Sequence, residues 1–108
     1  MAIDETLAEQ GDADAQLKLG TCYANGEGVT QDFEKAIYWL TKSAQQGNAD
    51  AQFNLGVCYL FGENTAGYFE KAEYWFRKSA QQGNDNAKAL LMNVFDITLD
   101  IDSDLGVK

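Results

Sequence analysis

The sequence predicts an all-α protein, an αα-hairpin solenoid in which helix pairs stack side by side. Three observations predict it. Residues 11–46 and 47–82 align without a gap and are identical at 22 of 36 positions, which marks a tandem duplication. Apolar residues inside each copy recur at helical spacing. Proline is absent from all 108 residues, so nothing interrupts a long helix.

The elements follow in order. Leu7-Ala8-Glu9-Gln10-Gly11 echoes Ser43-Ala44-Gln45-Gln46-Gly47, so the chain opens on the end of a helix. In the first full unit Ala15, Leu19, Cys22 and Tyr23 fall at i, i+4, i+7 and i+8, one helix face. Asp12 stands at its N-cap, and Asn48 and Asn84 hold the same place later. Gly26 and Gly62 follow the last periodic residue. The second pattern runs Phe33, Ala36, Ile37, Leu40, Ser43, Ala44, with the copy Phe69, Ala72, Phe76, Ser79, Ala80. Asp32 caps the first of these; Ala66-Gly67-Tyr68 offers no equivalent. Gly47 and Gly83 close them. The predicted helices are a short one before Gly11, then 13–25, 32–46, 49–61, 68–82 and 85–96. The organisation is therefore a partial helix over 1–10, repeats over 11–46 and 47–82, a capping helix of a partial third repeat over 83–96, and an acidic tail over 97–108.

Small residues recur at fixed points: Ala15, Gly20, Ala36 and Ala44, then Ala51, Gly56, Ala72 and Ala80. They let helix axes approach to the lower end of the usual range, about 8–10 Å. The aromatics Tyr23, Phe33 and Trp39, with their copies Tyr59, Phe69 and Trp75, are expected to fill the space between. A closed four- or five-helix bundle would not require equivalent residues at a fixed period, so stacked hairpins are preferred.

These residues resemble the Sel-one-like repeat family, relatives of the tetratricopeptide repeats. The matching pattern runs from Ala15 through Leu19-Gly20, Tyr23, Gly26, Gly28-Val29, Asp32 and Lys35-Ala36 to Trp39. In the second unit Ala51, Leu55-Gly56, Tyr59, Gly62, Lys71-Ala72 and Trp75 match. The departures lie in the loop, where Asn64-Thr65 replaces Gly28-Val29 and Tyr68 replaces Asp32. Asn tolerates the left-handed conformation expected of Gly28, so the turn survives the change. The resemblance implies a superhelix whose concave surface is lined by the first helix of each pair. Some cysteine-rich relatives are linked with beta-lactam binding; this chain lacks their paired cysteines, and that activity is not carried over.

Composition narrows the function. With 45% hydrophobic and 23% charged residues, the chain has the balance of a soluble globular protein. Eight Lys and Arg against 17 Asp and Glu give a net charge of −9, which argues against nucleic acid and against an anionic membrane surface. There is no histidine, so Ser-His-Asp and Cys-His pairs are impossible and the commonest metal ligand is missing. No phosphate-binding glycine motif is present, and Gly26-Glu27-Gly28 is read as a turn. Asp100, Asp102 and Asp104 alternate as in a calcium loop, but Leu105 stands where that loop needs glycine, and no bidentate glutamate follows. No enzyme activity, cofactor or metal is expected. Cys22 and Cys58 occupy equivalent places one period apart, about a helix diameter (~10 Å), beyond disulfide reach. Both are expected to be buried and reduced. The first residues have neither a basic start nor an apolar run, and no stretch approaches a membrane span, so a cytoplasmic protein without a signal peptide is expected.

Setting Leu19-Gly20 and Tyr23 on the motif turns Asp14, Leu17, Thr21, Ala24 and Asn25 toward the concave surface that the resemblance implies. The same offsets give Asp50, Phe53, Val57, Leu60 and Phe61 in the second unit. Thr21 becomes Val57, Ala24 becomes Leu60 and Asn25 becomes Phe61, while the motif positions stay unchanged. Asp14, Leu17, Thr21, Asn25, Phe53, Val57, Leu60 and Phe61 are thus the candidate partner-binding residues, against the alternative that they cover the third unit's helix or bury the tail. The expected function is a non-catalytic protein-interaction module. Its charge favours a basic protein partner, and an acidic immunity-type inhibitor of a basic toxin or nuclease is the alternative. The sequence leaves the oligomeric state open.

Overall fold

Short polar side chains set where the helices begin. In the computed structural model, which describes residues 5–61 and 68–93, Asp12 Oδ1 accepts the Ala15 N–H at 2.8 Å and Asp32 Oδ1 accepts that of Lys35 at 3.1 Å. Asn48 and Asn84 do the same for Ala51 and Ala87, both at 2.9 Å. Six helices result among the described residues: α1 Glu5–Glu9, α2 Ala13–Asn25, α3 Phe33–Gln45, α4 Ala49–Phe61, α5 Tyr68–Gln81 and α6 Asp85–Asn93. No strand occurs among them. The predicted roles of Gly62, Asn64-Thr65 and Ala66-Gly67, the helix beyond residue 93, and the acidic tail lie outside the described residues.

Helix ends obey the same local logic. Gly47 and Gly83 both adopt φ 97°, and a Cβ at either would meet nothing within 4 Å. Glycine is needed there for its left-handed backbone, not for space. The turn brings the Gly47 N–H to Ala44 O at 3.0 Å and the Asn48 N–H to Ser43 O at 3.3 Å, so each helix is closed and the next begins two residues later.

Packing is between neighbours. α2 lies on α3 and α4 on α5 as hairpins; α3 meets α4, α5 meets α6, α1 meets α2, and the first helices α2 and α4 touch directly. The result is elongated, 49 × 26 × 19 Å. One apolar cluster joins the hairpins: Ala36, Leu40 and Ala44 of α3 with Ala51, Leu55 and Cys58 of α4. A second holds Ala72, Phe76 and Ala80 of α5 with Ala87 and Leu91 of α6. The recurring glycines have a steric reason. A Cβ on Gly20 would stand 2.6 Å from Leu40 Cγ.

The aromatics behave unequally. Tyr23, Phe33, Tyr59 and Trp75 pack half-buried against the first cluster. Phe69, expected to fill space as Phe33 does, is instead 52% exposed. Phe33 lies beside Cys58 and Phe61 of the next layer, whereas the described part of α6 ends at Asn93, short of the matching positions.

A polar framework runs through the same layers and repeats with the sequence. Buried Gln16 donates from Nε2 to Ala8 O at 2.9 Å, and buried Gln52 donates to Ala44 O at 3.1 Å. Gln46 Nε2 donates to Gln16 Oε1 at 2.9 Å and Gly11 O at 3.0 Å; Gln82 Nε2 donates to Gln52 Oε1 and Gly47 O, both at 2.9 Å. Ser43 and Ser79 hydroxyls donate to Ala13 O and Ala49 O at 2.8 Å. Backbone carbonyls at the helix ends and junctions thus accept a side-chain hydrogen bond from another element, which ties successive layers together. Among the described residues, no buried side-chain nitrogen or oxygen lacks a partner.

Candidate interaction surface

Two adjoining depressions follow α2 and α4. The first, about 630 Å³, is lined by Asp14, Leu17, Lys18, Thr21 and Cys22 of α2, by Glu27 in the turn that follows α2, by Asp50, Phe53 and Asn54 of α4, and by Asn84 and Asn86 at the start of α6. The second, about 300 Å³, includes Ala24, Asn25, Gln31, Phe33, Val57, Cys58 and Phe61. Thr21 and Asn54 border both. These two side chains form a saddle, with Asn54 Nδ2 donating to Thr21 Oγ1 at 3.3 Å and Thr21 Oγ1 donating to Leu17 O at 2.8 Å. The two depressions are therefore one trough with a polar waist.

Its ends differ. At the end formed by the helix N-termini, Asp14 and Asp50 hold matching positions. Asn48 Nδ2 donates to Asp14 Oδ1 and Asn84 Nδ2 to Asp50 Oδ1, each at 3.3 Å, so the repeat junctions orient both carboxylates. With Glu27 they outnumber the one cation in the lining, Lys18. At the other end Val57 and Phe61 are apolar, and Phe61 is 67% exposed.

Of the eight candidate residues, Asp14, Leu17, Thr21, Asn25, Phe53, Val57 and Phe61 line this trough. Leu60 lies apart, half-buried against the second apolar cluster, and Phe53 and Val57 also lean on it. Leu60 and Phe61 therefore meet different surroundings, the one the second cluster and the other the trough. Lys18, Cys22, Glu27, Asn54, Asn84 and Asn86 belong to the lining and were not among the candidates. The replacement of Lys18 by Asn54 between the copies was a signal for two of them.

The cysteines are both free, but only one is buried as expected. Cys58 is 2% exposed, and burial pushes its thiol up from 9.0 to about 11. Cys22 is half-buried and borders the trough. The cause is layering: Cys58 lies against Ala36 and Leu40 of the preceding helix, while α1 corresponds only to the last turn of α3. Tyr59 is also raised, first by burial and then by Tyr68, with a hydrogen bond to Thr41 opposing.

A third depression of about 440 Å³ lies between α3 and α5, lined by Ala44, Gln45, Tyr74, Trp75 and Lys78 among others. No carboxylate borders it. Among the described residues, no three His, Cys, Asp or Glu side chains are grouped to hold a metal, and no helix is long and apolar enough to cross a membrane.

Layered helix pairs in identical register, with contacts chiefly between successive elements and between the first helices of adjacent pairs, define an α-solenoid repeat protein. The Sel1 repeat model matches residues 13–48 and 49–84, and the chain belongs to the Sel1 repeat family. Members of this family are typically protein-interaction modules. Two solved structures are similar. One is a protective antigen present in uropathogenic Escherichia coli strains and displaying an SLR fold, 41% identical with a TM-score of 0.73 over 86% of this chain. The other is a Sel1 repeat protein from Oxalobacter formigenes, 39% identical with a TM-score of 0.73 over 81% of this chain. The chain spans 21% and 25% of those two chains. No curated protein matches it.

Proposed function

We propose that the chain is a non-catalytic protein-interaction module that holds a protein partner along the trough of α2 and α4. One observation carries this reading: along the middle and apolar end of the trough the duplicated units differ, at Leu17 and Phe53, Lys18 and Asn54, Thr21 and Val57, and Asn25 and Phe61, over a frame where they agree. Leu19-Gly20 and Leu55-Gly56 are the same pair, buried in both copies. Thr21 and Val57, or Asn25 and Phe61, are neither the same nor buried. A large aromatic left 67% exposed beside apolar neighbours is what a recognition surface requires.

The net charge of −9 and the carboxylates of the trough favour a basic partner through steering and complementarity. They also support the second reading, an acidic immunity-type inhibitor of a basic toxin or nuclease. The test is an affinity capture from native cells with the chain and its Phe61→Asp variant as parallel baits. A protein retained by the first and lost by the second supports the trough; equal retention places the contact elsewhere. Association that does not weaken with added salt removes the inhibitor reading.

A further inference from the structure

The trough has a polarity that restricts what fits it. Carboxylates of Asp14 and Asp50 mark one end and the exposed ring of Phe61 the other, with the Thr21–Asn54 saddle between. Resting on the proposed function, we propose that the trough takes an extended segment of the partner carrying Lys or Arg about five residues from a large apolar side chain.

The spacing comes from helix geometry. Asp50 and Phe61 are eleven residues apart on α4, about 16 Å at the helical rise of ~1.5 Å per residue. An extended chain covers that length in about five residues at ~3.3 Å each. The charge comes from complementarity: three carboxylates face the first depression against Lys18. The extended form comes from the waist. Asn54, which borders both depressions, spends one N–H on Thr21, and its amide still carries a second N–H and a carbonyl oxygen. A passing strand offers backbone N–H and C=O groups to both, whereas a helix has already paired its own.

The test is a displayed library of random ten-residue segments, selected on the immobilised chain and scored against two variants whose helicity is first checked by circular dichroism. In Asp14→Asn with Asp50→Asn, each amide keeps an oxygen for Asn48 or Asn84, so the fold is preserved. Phe61→Ser removes the apolar end. The expected result is enrichment of Lys or Arg four to six positions from Phe, Leu, Ile or Trp. Binding should be about fivefold weaker to the double variant and about tenfold weaker to Phe61→Ser. Segments without such a pair, or with undiminished binding to the double variant, overturn the proposal; their loss on Phe61→Ser would still leave the trough as the interaction surface. Segments indifferent to both variants overturn the proposal and count against the trough as well. A library that yields no segment above background overturns the extended-segment proposal alone, because the bait experiment with Phe61→Asp also detects a folded partner.

Discussion

A Cβ added to Gly56 would lie 2.6 Å from Cε1 of the Phe76 ring, so the crossing of α4 and α5 has no room for a methyl group. Gly20 stands in the same relation to Leu40. Gly56→Ala is expected to destabilise the fold by about 1–3 kcal/mol, because a buried ring must leave its rotamer or the helices must part. Gly20→Ala should cost a similar amount, since it meets Leu40 near the root of its side chain and Ala36 O stands 3.2 Å away. Urea denaturation of both variants measures the losses; a neutral Gly56→Ala would mean that the two helices separate freely.

The glutamine framework predicts a coupling. Gln82 donates to Gln52, and Gln52 donates onward to Ala44 O. Gln52→Leu should cost about 1–3 kcal/mol, as buried polar groups lose their partners. Combined with Gln82→Leu, the double variant should lose less than the sum of the two singles. A double-mutant cycle by thermal or urea unfolding checks this, and strict additivity would show that the two amides act independently.

The thiols should separate in reactivity. At pH 8 an alkylating reagent is expected to modify Cys22 in the folded protein and to reach Cys58 only after unfolding, by mass spectrometry of the two peptides. The raised Cys58 thiol also sets a pH dependence. The unfolded chain ionises this thiol near 9.0, before the folded chain does near about 11. Stability is therefore full below pH 9 and falls as pH rises through that window. Tyr59, raised in the same direction, adds to the fall. Cys58→Ala should flatten the curve.

Leu60 and Phe61 should part company although they are adjacent. Leu60 leans on the second apolar cluster, so Leu60→Ala is expected to cost about 1–2 kcal/mol. Phe61→Ala should change stability by no more than about 0.5 kcal/mol, while weakening capture of the partner. Melting curves and capture assays on the two variants separate these effects, and a destabilised Phe61→Ala would assign the ring to the core.

The helices were legible because their signals are local. Asp12, Asn48 and Asn84 cap as their residue type and position predict, and Gly47 and Gly83 stop helices by backbone conformation alone. The duplication then supplied the layering, since equivalent residues must meet equivalent neighbours. What escaped depends on neighbouring layers. A search for apolar periodicity passes over Gln16 and Gln52, whose burial rests on carbonyls of the preceding element. Their identity in both copies was the available signal. The lining of the trough was legible to within one residue of helical rotation, which is why Leu60 was grouped with Phe61. Cys22 departed from expectation because α1 offers it only the counterpart of the last turn of α3, and the positions that would match Phe33's neighbours around Phe69 lie outside the described residues.

The run of contacts from each helix to the next has a mechanical consequence. Among the described residues the main contacts join each helix to the next, so small changes of tilt at each junction are expected to add up along the 49 Å axis without breaking any one of them. The molecule bends as a leaf spring does. A partner held across two layers, as proposed, would be expected to stiffen it, and a change of curvature imposed from either end would be expected to loosen that hold while every helix stays intact.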